Sequence, residues 1–149
     1  MLNLFETEVY NQVLERMNKL SHHSERQWGK MEVGQMLAHC KEAFKIPLSE
    51  TPLKRNLIGL LIGWAVKGQL YNDKPWKQGL PTAPNFIIKD KRNFDNEKAQ
   101  LLELINAFYT KGPAKVGLYP HPMFGSFTSE QWGQAMFKHL DHHLRQFGV

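Results

Sequence analysis

Three histidines, His139, His142 and His143, close a segment running from residue 132 to 147 whose apolar residues recur at helical spacing. At about 100° per residue, Ala135, Met136, His139, Leu140, His143 and Phe147 share one face. Two imidazoles are therefore aimed where a core would form. A neutral imidazole carries one donor and one acceptor, so burying two without partners costs on the order of several kcal/mol, and one divalent cation satisfies both. Four residues apart, His139 and His143 project from adjacent turns and can share that cation. A third ligand must come from another helix. His39, in Val33-Gly34-Gln35-Met36-Leu37-Ala38-His39-Cys40, is the best donor. It lies on the flank of a second apolar stripe, beside Met36 and Ala43, and faces the seam between helices. The plainer reading makes each an ordinary half-buried histidine.

The remaining reactive side chains fit other uses. His142 is displaced about 60° from His139 and about 100° from His143, which places it beside the site or at the surface. Asp141 falls nearly opposite the His139/His143 face and reads as a solvated acid able to pair with Arg145 four residues on. Cys40 sits on an apolar stripe with no neighbouring base, as a small buried residue would. His22 and His23 lie in a polar turn. His121, between Tyr119-Pro120 and Pro122, is held extended by the following proline and either lines the pocket or serves structure.

Helical period recurs along the chain, and sustained strand alternation is absent. Leu2, Phe5, Val9, Val13, Met17 and Leu20 form one stripe. A second starts near Met31, shows Val33, Met36, Leu37, Cys40 and Phe44, and runs to Pro47. Residues 54–69 give a shorter, more apolar, glycine-interrupted helix. Prolines and a glycine make residues 71–91 an irregular connection, and a loop of that length suits a cover over a site. Phe94, Leu101, Leu104, Ile105 and Phe108 mark another helix, closed by Lys111-Gly112-Pro113. After a second loop over 117–127, Thr128-Ser129-Glu130-Gln131 opens the last helix as a capping box. The expectation is an all-α fold: one domain over residues 1–149, a four-helix bundle with an additional short helix and long connecting loops.

Composition narrows the setting. The 149 residues are 42% hydrophobic, enough for one core. A lone cysteine excludes an intrachain disulfide and fits a reducing, cytoplasmic compartment. Acidic residues near the N-terminus do not suit a signal peptide. The longest apolar run, residues 57–66, is about half of what spans a bilayer, so stable membrane insertion is not expected. The net charge of +5 is dispersed, and without a recognition or stacking motif it does not indicate nucleic acid. An acidic small molecule fits that charge equally well.

Two blocks carry a family resemblance: Trp28-x-x-Met31-x-Val33-x-Gln35-Met36-Leu37-x-His39-Cys40, and His121-Pro122-x-Phe124-Gly125 followed by Lys138-His139-Leu140-Asp141-His142-His143-Leu144-Arg145-Gln146-Phe147-Gly148-Val149. The chain resembles the DinB/YfiT-like superfamily of metal-dependent four-helix bundles, and more closely a branch known only as a domain of unknown function. Residues 47–111 resemble it only loosely. The resemblance implies a divalent metal held by His39, His139 and His143, and in members of known activity such a metal activates a low-molecular-weight thiol such as mycothiol or bacillithiol. Where those members often read His-His-Arg-Gly-Gln, this chain has His142-His143-Leu144-Arg145-Gln146, so no role transfers to the arginine.

The reading is a metal-dependent enzyme, with zinc, nickel or iron on His39, His139 and His143, acting on a small-molecule substrate by thiol transfer or hydrolysis. No paired carboxylate or separate base stands near the motif, so the metal would carry most of the chemistry. The alternative is a non-catalytic bundle, binding a small ligand or forming a homodimer through residues 57–66. An adaptor for membrane surfaces or nucleic acid ranks last.

Overall fold

The computed structural model describes the backbone of residues 1–149 and the side chains of all but Leu57, Ile58, Leu60, Ile62 and Asn85. Five α-helices form: α1 (Thr7–Lys19), α2 (Val33–Lys45), α3 (Leu57–Lys67), α4 (Phe94–Lys111) and α5 (Ser129–Gln146). Short 3₁₀ turns occupy Gly68–Leu70 and Pro84–Phe86. Among the described residues there is no strand, only an isolated bridge between His121 and Gly125.

Capping chemistry sets the helix starts. Thr128 and Gln131 form the reciprocal box expected at α5, and Glu32 with Gln35 forms another at α2, two residues later than the apolar stripe suggests. Asn93 accepts from the Asn96 amide to open α4, which ends at Gly112 with φ of 70°. The first stripe splits. Asn3 Oδ1 accepts from the Phe5 amide and closes a local turn, so α1 begins only at Thr7, with Leu4 buried and Leu2 exposed.

α2 lies most extensively along α4 and also meets α5, while α1 packs on α5. Leu37, Cys40 and Phe44 of α2 share the core with Leu101, Ile105 and Phe108 of α4, Leu140 and Leu144 of α5, and Val13 and Met17 of α1. Each large side chain so buried contributes about 1.5–3 kcal/mol. A buried ion pair, Lys41 to Glu97, joins α2 to α4, with Gln100 also accepting from Lys41.

Gly59 and Gly63 are used within the chain. A Cβ at Gly63 would stand 2.2 Å from the Met123 carbonyl oxygen, so only glycine lets α3 lie this close to the 121–125 turn. Leu61 and Trp64 of the same helix are exposed. The sequence reading of Leu57, Ile58, Leu60 and Ile62 as part of an apolar face lies outside the described residues. Among the described residues no helix is long and apolar enough to cross a membrane.

Candidate metal centre

The structure brings His39, His139 and His143 together: one ring nitrogen of each lies within 4.8 Å of the others. His39 comes from the middle of α2, and the other two from adjacent turns of α5. His39 and His143 are buried and His139 is half-buried. Burial holds all three imidazoles below their ordinary pKa. It pushes His143 to about 3, with further lowering from His39. His139 is held well below its usual value by burial, then by His143, His39 and His142, and His39 is lowered by burial against the opposing bond to Phe86. The rings are neutral at pH 7, the form that binds metal.

Hydrogen bonds settle where two protons sit. His39 Nδ1–H donates to the Phe86 carbonyl at 3.0 Å, and His143 Nδ1–H donates to Gln146 Oε1 at 2.8 Å. Both Nε2 atoms are thereby left as lone pairs. His139 Nε2 stands 3.0 Å from His39 Nε2, and His139 Nδ1 is buried with no partner among the described residues. A His139 proton on Nε2 would bond His39 and strand a buried Nδ1 lone pair. A proton on Nδ1 sets two lone pairs face to face. A cation between the two Nε2 atoms removes that repulsion and leaves only the His139 Nδ1–H without an acceptor among the described residues, since nitrogens about 2.1 Å from one cation and at right angles are about 3.0 Å apart. The three neutral imidazoles could therefore hold a divalent metal, and the cluster contains no carboxylate.

Two residues of segment 71–91 reach the cluster. Trp76, from the irregular segment 71–91, lies 5.8 Å from the His139 ring and 5.5 Å from the His142 ring, and Trp28 lies 5.7 Å from His142. His142 is thus flanked by two tryptophans beside the three clustered rings. Phe86, from the same segment, supplies the carbonyl that orients His39.

The family described as Protein of unknown function (DUF1569) matches residues 4–148. The chain belongs to this family. No curated protein and no solved structure shows significant similarity to it.

Other residues of this DUF1569 chain that stood out in its sequence have structural partners. Asp141 is no solvated acid: Arg16 of α1 donates to it at 2.8 Å, while Arg145 stands at 3.8 Å. Cys40 is buried beside the Met36 sulfur, and burial pushes its thiol pKa up. His22 reaches Asp95 across an exposed surface. His121 is buried, and its Nδ1 accepts from the Met123 and Phe124 amides.

Sequence reasoning missed Gln146 and Lys138. Gln146 orients His143 and donates to the Trp28 carbonyl at 2.9 Å. Its place three residues after His143 was a usable signal. Lys138, buried on α5, donates to the Gln69 carbonyl and to both oxygens of Asn72, pinning the start of segment 71–91. No spacing marks it, because its acceptors lie 66 and 69 residues away.

Proposed function

We propose that this chain is a metal-dependent enzyme with a four-helix bundle of the DinB/YfiT-like kind, in which His39, His139 and His143 hold zinc, nickel or ferrous iron. The observation that carries the reading is the pair of Nδ1–H bonds, His39 to Phe86 and His143 to Gln146, which turn both Nε2 lone pairs inward beside His139. A bound cation supplies Lewis acidity, which lowers the pKa of a water or thiol reaching it. The three neutral imidazoles leave its charge uncompensated, and the Trp76 and His142 rings lie together beside them. The reaction class is thiol transfer or hydrolysis on a small-molecule substrate.

The test is elemental analysis of untagged protein beside His139→Ala and His143→Ala. Near-stoichiometric zinc, nickel or iron in the wild type, lost in both variants, supports the site. Metal well below stoichiometry, or unchanged in the variants, overturns it. Assays pairing low-molecular-weight thiols with electrophiles follow on the loaded protein, and the absence of any turnover across that panel sinks thiol transfer.

A second reading is a non-catalytic homodimer formed through α3, which draws on the exposure of Leu61 (74%) and Trp64 (78%). Sedimentation velocity decides it. A monomer at tens of micromolar excludes it, and a dimer dissociated by Trp64→Glu supports it.

A further inference from the structure

A groove of about 980 Å³ runs between the end of α2, residues 53–56 ahead of α3, the Pro84–Phe86 turn and the 121–123 turn. That volume suits a small organic ligand. Ile46, Leu53, Phe86 and Met123 give it apolar walls. Its polar lining is unbalanced in charge. Glu42 is the acid among the described lining residues and is paired with Lys45, which leaves the exposed Lys54 and Arg55 in excess. Asn56, which caps the N-terminus of α3, stands at the same end, so the positive pole of that helix adds to the two cations.

His121 adds a polar side chain to the apolar walls. It lines the groove at 8% exposure. Because its Nδ1 accepts from the Met123 and Phe124 amides at 3.0 and 3.3 Å, its proton resides on Nε2. That Nε2–H has no acceptor among the described residues. A ligand oxygen in the groove can accept from it in place of water.

We propose that the groove binds a free amphipathic anion, an apolar chain or ring ending in a carboxylate, with its head at Lys54 and Arg55 and its body along Ile46, Leu53, Phe86 and Met123. None of the three clustered histidines lines the groove, so the inference stands apart from the metal reading. Phe86 is the shared wall: it lines the groove, and its ring meets the His39 ring edge-on at 6.3 Å.

The test is a methyl-detected NMR titration of the full chain with decanoate, decanol and decyltrimethylammonium, each below its aggregation limit. Decanoate is expected to bind one to one, shifting Ile46, Leu53 and Met123, at least tenfold tighter than the cation. The double variant Lys54→Glu/Arg55→Glu, with an unchanged circular dichroism spectrum, is expected to weaken decanoate at least tenfold. Ile46→Trp, which fills the groove, is expected to abolish binding. No decanoate binding, equal affinity for the three probes, shifts centred on Leu61, or unchanged affinity in the double variant each overturns the proposal.

Discussion

At the scale of single residues, the centre depends on side chains that never reach the metal position. Gln146 is buried and accepts the His143 Nδ1 proton, so its removal frees that ring to rotate. Gln146→Leu is expected to weaken metal binding about 10- to 100-fold. Gln146→Glu keeps an acceptor for His143 but loses the donor to Trp28, so a chelator-competition titration should show it within a fewfold of wild type. Equal losses in both variants would mean that Gln146 acts only through the Trp28 segment. His121 makes a different, pH-dependent contribution. Burial, then Lys67, lowers its pKa from 6.5 to about 4, and protonation would cost Nδ1 its two amide bonds. The unfolded chain takes up that proton first as pH falls. The stability is therefore full above pH 6.5 and lost progressively towards pH 4, about 3 kcal/mol in all. His121→Asn keeps an acceptor without titrating. In urea unfolding at pH 7 and 4.5, wild type should lose about 2.4 kcal/mol more than the variant, and parallel losses would refute the assignment. The clustered histidines were legible from residue type and helical phase, because an apolar stripe that includes imidazoles demands partners. Gln146 and the Phe86 carbonyl were not, since what they do is fixed by the neighbour they meet rather than by their type.

At the scale of elements, the helices were read largely from stripes and caps, and the differences have local causes. Asn3 delays α1 by closing its own turn, and Gly59 and Gly63 of α3, which suggested an interface, are filled by Met123. The connection over residues 71–91 was recognisable as irregular by its prolines. What fixes its path was not, because Lys138 takes acceptors from backbone carbonyls that no motif announces. Lys138 donates to the Gln69 carbonyl, which also accepts from Trp76 Nε1, so one carbonyl joins the latch to the ring over His139. Lys138→Met keeps the apolar stem and deletes the ammonium. It is expected to cost about 1.5–3 kcal/mol and to raise proteolytic cleavage within residues 69–77 about tenfold as local opening becomes easier. Unaltered cleavage there would show that Trp76 holds the segment without the lysine.

At the scale of the whole molecule, stripes reveal which faces are buried but not which helices become neighbours. The extensive contact of α2 with α4 involves the Lys41–Glu97 pair, whose members no stripe or motif marks in the sequence. That contact orders α2, and α2 presents His39 to α5, so packing and the centre are thermodynamically linked. Any cation that binds the three histidines in the folded chain and not in the unfolded one stabilises the fold by mass action, about 2.7 kcal/mol at a free concentration 100 times its Kd. For a chain of this size each kcal/mol moves the melting temperature by roughly 2–4 °C. Stripping metal with a chelator is therefore expected to lower Tm by about 5–10 °C, and restoring one equivalent of the native metal should recover it. His143→Ala removes one ligand, so its Tm should not respond to either treatment. A wild-type Tm indifferent to chelator and metal, or a variant as responsive as the wild type, would dissociate the histidine cluster from metal binding. Scanning calorimetry on the two proteins, each stripped and reloaded, distinguishes these outcomes, because a loss of packing alone lowers Tm in the variant without making either protein metal-responsive.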